Sequence, residues 1–254
     1  MPNYQKILYA VENGIARVTL NRPDKRNALD DEIIDELKDA MATAASDDVR
    51  VVLLTGAGKD FCSGADIAGL HRLVEASVTD LLANARAMAE LFVAMRRHPR
   101  PIIAAVRGRA LAGGCGLATG CDVILASQSA RFGYPEVNIG FIPAMVMAIL
   151  RRSVSEKRAF ELITGGDVIP AQTALEMGLI NRVFEDDKFD ESVDSFITSL
   201  AGKSQSAVSL AKHLLYHMDG LSFEAALESG VHLNAITRLT DDCREGLEKF
   251  LKKG

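Results

Sequence analysis

The chain has 254 residues, 48% of them apolar and 25% charged, with a net charge of -5 at neutral pH. It is long enough to bury a sizeable core, as one large domain or a domain with an appendage. The acidic balance argues against general nucleic-acid binding, no apolar run reaches the roughly 18 residues of a membrane span, and four cysteines without CxxC spacing read as reduced thiols.

Met1-Pro2-Asn3-Tyr4-Gln5-Lys6 carries neither a long apolar region nor an arginine-rich transit pattern, so a cytoplasmic protein is expected. Lys6 to Val11 and Ile15 to Leu20 read as two strands joined at Asn13-Gly14, a hairpin signal. Asn21-Arg22-Pro23-Asp24 is a loop. Asp30 to Ala45 predicts an amphipathic helix with Ile33, Ile34, Leu37, Ala40, Met41 and Ala44 on one face and acids in its first turn. Val49 to Thr55 is a continuous apolar run, the pattern of a strand buried on both sides. Thr79 to Met95 is helical and ends at His98-Pro99-Arg100-Pro101. Ile102 to Val106 and Asp122 to Ala126 are further buried strands. Ala171 to Met177 is a short helix closed by Gly178, before a strand at Leu179 to Phe184. This alternation predicts an α/β fold, with no sequence repeat of fixed period. After Asp186 no strand-like run remains, and Asp190 to Lys253 reads as helices whose apolar faces need a partner. The expected division is a core at 1–189 and a helical region at 190–254.

Two glycine-bearing loops, each after a β-branched run and each opening a helix, carry the chemical signal. They are Gly56 to Ile67 and Ala110 to Leu117. Two such turns facing each other can aim free N–H groups at one oxyanion. Gly113-Gly114 also has a packing reading, as a place where another backbone comes close. Glu136, in Phe132-Gly133-Tyr134-Pro135-Glu136-Val137, is a lone carboxylate among apolar and aromatic neighbours. Partial burial would raise its pKa, which suits a group that takes and returns a proton. The first loop lacks G-x-x-x-x-G-K-[ST] and G-x-G-x-x-G, no G-x-S-x-G elbow occurs, and the histidines form no H-E-x-x-H. No metal site is expected, and His213 and His217 read as a helix face. Basic stretches at Arg22, Lys25 and Arg26, and from Arg96 to Arg109, read as solvated surface or as a seat for ligand phosphates.

A series of segments along nearly the whole chain then resembles the enoyl-CoA hydratase/isomerase family, the crotonase superfamily. They are Leu20-Asn21-Arg22-Pro23 with Asn27-Ala28-Leu29, Phe61 to Ile67, Ile103 to Gly108 running into Gly113-Gly114-Cys115, and Cys121-Asp122. Phe132 to Glu136, Ile139 to Pro143, Gly178 to Val183 and Glu245-Gly246-Leu247 follow in order. The resemblance implies a crotonase-like spiral of repeated ββα units with a C-terminal helical region that packs in a homotrimer or a dimer of trimers. It implies an acyl-CoA thioester substrate and no separate cofactor, since the CoA is part of the substrate. It assigns the oxyanion hole to the N–H groups of Ala65 and Gly113 and the acid/base to Glu136. The substrate site is implied to include Lys25 or Arg26 near the nucleotide, Ala28, Asp66, Ile67, Gly114 and Gly116, with Phe250 and Lys253 reaching a neighbour's CoA.

The chain departs from the family's hydratases at two places. They carry a first glutamate where this sequence has Gly116, so Glu136 stands alone, a pattern that resembles the Δ3,Δ2-enoyl-CoA isomerases. Ala144-Met145-Val146-Met147 replaces their glycine-rich run, which should make the acyl pocket more apolar. Hydration and isomerisation both stand at this point. The alternatives are a pure isomerase, a non-catalytic acyl-CoA binder, and a peptidase on the same core, the last disfavoured by the missing Ser/His/Asp set.

Overall fold

Asn13 and Gly14 take φ values of 52° and 76°, the left-handed pair that a tight two-residue hairpin demands. They join β1 (Ile7–Glu12) to β2 (Ile15–Leu20) in antiparallel register. A computed structural model describes residues 4–46, 48–66, 69 and 76–252. Ile67, His71 and Lys253 lie outside the described residues. Helix α1 (Asp31–Ala44) starts where Asp30 accepts a hydrogen bond from Ile33 N at 3.1 Å, and all six residues of its predicted apolar face are buried.

Strands β3 (Val51–Gly56), β4 (Ile102–Val106), β6 (Val123–Ser127) and β9 (Arg182–Phe184) extend the hairpin into one sheet of order β1-β2-β3-β4-β6-β9, parallel from β2 onward. Alternate side chains feed two cores, as the pleat requires. Val52, Leu54, Ala104 and Val106 face the main core with α1 and with α2 (Val78–Arg97). Val51, Leu53, Ile103 and Ala105 face the opposite side, where α7 (Phe189–Ala201) covers them with Phe189, Val193 and Ile197. The continuous apolar reading of β3 and β4 follows from this two-sided burial.

A second sheet is built from three-residue strands, β5 (Arg109–Leu111), β7 (Arg131–Gly133) and β8 (Val168–Pro170). Cys62 bridges to Ala110 and Leu29 to Ala65, which prolongs the small sheet through the first glycine loop. The chain therefore climbs as a spiral. β4 leads to β5 and then α3 (Gly113–Thr119); β6 leads to β7 and then a 3-10 turn at Pro135–Ile139 and α4 (Ala144–Ser153). Helices α5 (Glu156–Gly165) and α6 (Ala171–Glu176) flank β8. The expected strand from Leu179 is shorter than its sequence pattern. Leu179 N and Ile180 N bond back to Ala174 O, closing the helix, and only Arg182–Phe184 pairs with β6.

Of the C-terminal segment, α7 packs on the chain's own sheet. Helix α8 (Gln205–His217) is held by one buried cation. Lys212 Nζ donates to Asp122 Oδ2 at 2.7 Å and to the Met95 and Arg100 carbonyls at 3.1 Å each. Asp122 also accepts from Tyr216 and from Ile102 N, so the Cys121-Asp122 motif is an anchor and not a site. Burial pulls the Lys212 pKa down and the Asp122 charge opposes that. Helices α9 (Phe223–Thr237) and α10 (Asp241–Leu251) bury no residue within the chain.

Candidate active site

The spiral brings four segments side by side, so that residues far apart in sequence end at one place. Leu29 N donates to Gly64 O, Asp66 N to Leu29 O, Leu111 N to Cys62 O and Ala112 N to Gly133 O, all at 2.8–2.9 Å. The last bond ties the second glycine loop to the strand that leads to Glu136.

Gly64 takes φ +96°, and a Cβ there would stand 2.7 Å from Ala112 Cβ and 3.3 Å from Gly113 N. The two loops touch. Ala112 itself has φ 50° and ψ -129°, a conformation that costs an alanine about 1–3 kcal/mol and persists only where its surroundings enforce it. It turns Gly113 N out of the strand ladder. Among the described residues neither Ala65 N nor Gly113 N donates to a protein acceptor. A Cβ on Gly113 would lie 3.9 Å from Ala65 N, so the two free donors are neighbours.

Glu136 follows Pro135 in the 3-10 turn and is buried, 8% exposed. Its Oε2 is buried without a hydrogen-bond partner. Desolvation pushes its carboxyl above the ordinary glutamate range, against a smaller opposing contribution from its own backbone N–H. The turn is pinned from beneath. Tyr134 is fully buried, its hydroxyl lies 2.9 Å from Thr119 Oγ1, and Thr119 donates to Cys115 O at 2.7 Å. The Glu136 loop is thereby fastened to the same helix, α3, that begins at Gly113.

The remaining candidates separate by what surrounds them. Gly114 is buried, and a Cβ there would stand 2.7 Å from Cys62 Sγ and overlap the Cys62 carbonyl; its glycine serves the packing of α3 on the first loop. Gly113 by contrast has room, with Met88 Cε at 3.6 Å and Leu29 Cδ1 at 3.8 Å from the same imagined atom. Gly116 is buried beneath Val146. The Asp66 carboxylate is engaged by Arg22 at 3.0 Å, and Arg22 also reaches Asp30 at 2.9 Å and the Ala28 carbonyl at 2.7 Å. Ala28 is buried and Lys25 is exposed on a short 3-10 turn. Phe250, on α10, is exposed.

The basic stretches divide. Arg22 is paired internally, Arg100 is buried and donates to Ser46 O, and Arg107 lies over Phe189 and pairs with Asp190. Arg26, Lys59, Arg109 and Arg131 instead surround a cavity of about 440 Å3, four cations against one carboxylate, Asp60, whose Oδ1 accepts from Arg109 N. The cavity sits at the start of the segments whose ends carry Leu29, Ala65, Gly113 and Glu136. Three to six residues of chain separate the two ends, and neither Ala65 nor Gly113 lines the cavity. The cavity suits an anion and stands away from the two donors.

Asn27 deserves its place in the sequence motif for a physical reason. It holds φ 56° with its amide donating to the Ala57 and Asp60 carbonyls at 2.9 and 2.8 Å, which fixes the first glycine loop. The thiols are unsuited to nucleophilic work, since burial pushes Cys62 up to about 12 and Cys115 up to about 11. His98 is buried between the Arg100 and Met41 carbonyls, His213 stacks on His217, and no group of three metal-ligating side chains occurs among the described residues. Sequence reasoning gave no separate role to Ala112 or Thr119, read Arg22 only as a basic spot, Tyr134 only as an apolar neighbour of Glu136 and Val146 only as part of an apolar run. Of these only Arg22 carried a signal, its charge.

The site can polarise a carbonyl oxygen with two N–H groups and exchange a proton with one desolvated carboxylate. Comparison with known proteins shows the family. A family model for enoyl-CoA hydratase/isomerase matches residues 10–254. The chain is 33% identical to 2,3-dehydroadipyl-CoA hydratase of Escherichia coli over 98% of this chain and 96% of that protein. It is 29% identical to trans-2-decenoyl-[acyl-carrier-protein] isomerase of Streptococcus mutans over 99% and 97%. The crystal structure of a Mycobacterium smegmatis enoyl-CoA hydratase superposes with a TM-score of 0.93 at 31% identity, covering 98% of this chain and 97% of that one. The fold is that of the crotonase superfamily, and the chain belongs to the enoyl-CoA hydratase/isomerase family of enzymes.

Proposed function

We propose that this enzyme moves the double bond of an enoyl-CoA thioester through an enolate, with Glu136 as the single acid/base and the Ala65 and Gly113 N–H groups as the oxyanion hole. The observation that carries the reading is the buried Glu136 carboxylate, whose Oε2 has no partner, held by Ala112 N→Gly133 O to the loop that presents a free N–H. Glu136 removes a proton from the carbon beside the carbonyl. The C–H electron pair shifts into the enolate, and the negative oxygen is met by two donors fixed before the reaction begins. Re-forming the carbonyl then pushes electron density to the far end of the conjugated system, which takes the proton back from Glu136. No atom is gained or lost. Hydration is the second reading, and the hydratases among the relatives are what favour it.

The acyl part would lie against Met88 and Leu29, which flank Gly113. Arg26, Lys59 and Arg109 offer the charge that CoA phosphates need. Exposed Phe223, Leu227, Val231, Leu247 and Phe250 on α9 and α10 support a homotrimer or a dimer of trimers, in which Phe250 and Lys253 would meet a neighbour's ligand. Free, mostly buried thiols support a reducing, cytoplasmic setting. Turnover of a β,γ- and an α,β-unsaturated CoA thioester, assayed side by side, tests the reading. Isomerisation of the first with Glu136-dependent rate is expected. Tight CoA binding with no turnover of either refutes it.

A further inference from the structure

Gly116 lies in helix α3, and its backbone does not take a positive φ. Nothing in the main chain therefore calls for glycine. The neighbour that does is Val146, on α4. A Cβ on Gly116 would fall inside the Val146 Cγ2 methyl and stand 3.4 Å from its Cβ and Cγ1. Val146 is buried, 4% exposed. The two residues are a fitted pair, one with no side chain and one whose branched side chain takes the volume.

Position 116 is three residues after Gly113 on one helix, so both lie on the same face. Helical side chains tilt toward the N-terminus. A side chain at 116 would project over the Gly113 N–H, beside the carbonyl it polarises. Val146 now occupies that space with methyl groups. Glu136 faces the same helix closely enough for its charge to add to the burial that raises the adjacent Cys115 thiol, and its Oε2 has no hydrogen-bond partner. Water held there would find one carboxylate and an aliphatic wall, below the two to four partners that a buried water needs.

We propose that Val146 is the residue that sets reaction specificity. It excludes water from the volume above Gly116, so that no water stands where it could add to the β-carbon of the conjugated enoyl product. This rests on the enolate reading above. Isomerisation moves one proton and consumes nothing, whereas hydration adds a hydroxyl to the β-carbon and a proton to the α-carbon and consumes one water. Removing the valine methyls should open the second path, and a carboxylate placed at 116 should make it efficient.

The test uses the full chain, one β,γ-enoyl-CoA, and 18O-labelled water. The parent should yield the α,β-enoyl product with little labelled 3-hydroxyacyl-CoA. Val146→Ala should raise the labelled fraction several-fold, and Gly116→Glu with Val146→Gly should raise it at least tenfold. Gly116→Glu alone, with the valine in place, should not. Val146→Thr keeps the volume and adds a hydroxyl, so it folds where larger changes fail, and it too should raise labelling. Exchange of the α-protons of a saturated acyl-CoA in D2O is followed in parallel, because it reports the enolate whatever Val146 does. Exchange in the parent, lost in Glu136→Gln, with labelling unmoved in Val146→Ala and Val146→Thr, overturns the role of Val146. So does a parent that hydrates as readily as it isomerises. Absence of exchange in the parent overturns the enolate reading beneath it.

Discussion

Replacing Glu136 by glutamine keeps the shape of the side chain and removes its proton chemistry. The N–H donors of Ala65 and Gly113 and the walls at Met88 and Leu29 are untouched, so substrate binding should survive. Loss of a positioned acid/base costs about 100- to 10,000-fold in turnover, and kcat should fall by at least about 100-fold. The parent's kcat/KM should rise with pH through the Glu136 pKa, because the first step needs the carboxylate. That limb lies above the ordinary carboxylate range, since burial raises the group, and it should vanish in the glutamine variant. Stability should move the other way. With the folded pKa above the unfolded one, the folded state holds a proton that the unfolded chain has released. Stability of the parent therefore falls as pH climbs from the unfolded carboxylate value through the folded one, and is level above it. Glutamine has no such loss. Urea unfolding should find the variant equal to the parent in acid and more stable by about 1 kcal/mol at neutral pH, the usual scale of a stability–activity trade. A folded variant with near-parent turnover, or one that keeps the acid limb, would falsify the assignment.

The other expectations follow from the loops and the basic cavity. Gly113→Ala fits the space beside Met88 and keeps the donor, so it should keep most activity, whereas Gly113→Pro occupies the first position of α3, which tolerates proline, and removes the N–H. The proline variant, once circular dichroism shows it folded, should lose on the order of 3 kcal/mol of transition-state stabilisation; unchanged turnover means Gly113 only packs. Gly114→Ala overpacks against the Cys62 carbonyl and Sγ and should cost about 2 kcal/mol in urea unfolding. Adding Cys62→Ala should restore only part, because the carbonyl stays; full rescue would mean the sulfur alone was the obstacle. Alanine at both Arg26 and Lys59 should raise KM for a CoA thioester about tenfold, roughly 1.4 kcal/mol, and leave the N-acetylcysteamine thioester of the same acyl group unaffected. Equal effects on both substrates would show that the cavity does not seat the phosphates.

The elements legible in the sequence are those with a long periodic signal. Asn13-Gly14 marks the hairpin because only left-handed turns fit it. Helix α1 is legible because its six apolar residues share one face. The small sheet is not legible, since β5, β7 and β8 have three residues each, too few for a period to register. Yet these strands carry the chain into Gly113 and Glu136. Leu179 and Ile180 read as strand because they are apolar, and they are indeed buried, but their burial comes from a helix-closing turn. Hydrophobicity reports where a residue goes and not which backbone partner it finds there.

The site was legible where a residue type alone carries the chemistry, and illegible where a pair does. Glu136 stands out as one carboxylate in an apolar run, and the glycine loops as breaks after strands. The structure divides the Gly113-Gly114 pair, giving one residue space and the other a wall, a distinction that depends on Cys62 in another loop. Ala112 bears the strained turn while having the side chain least able to announce it. Charge is equally mute about pairing, for Arg22 and Arg26 lie in one basic stretch, yet the first is enclosed by Asp30 and Asp66 and the second opens on the cavity. The obstacle over Gly116 is the sharpest case. The sequence marks the run Ala144-Met145-Val146-Met147 as apolar without saying which of its residues meets Gly116, and on a helix only one of three successive residues faces a given neighbour. That residue is Val146. Whether position 116 can take a side chain at all is therefore decided on α4 and not at Gly116 itself. A glutamate introduced at 116 without change at 146 must displace a buried valine before it can meet a substrate.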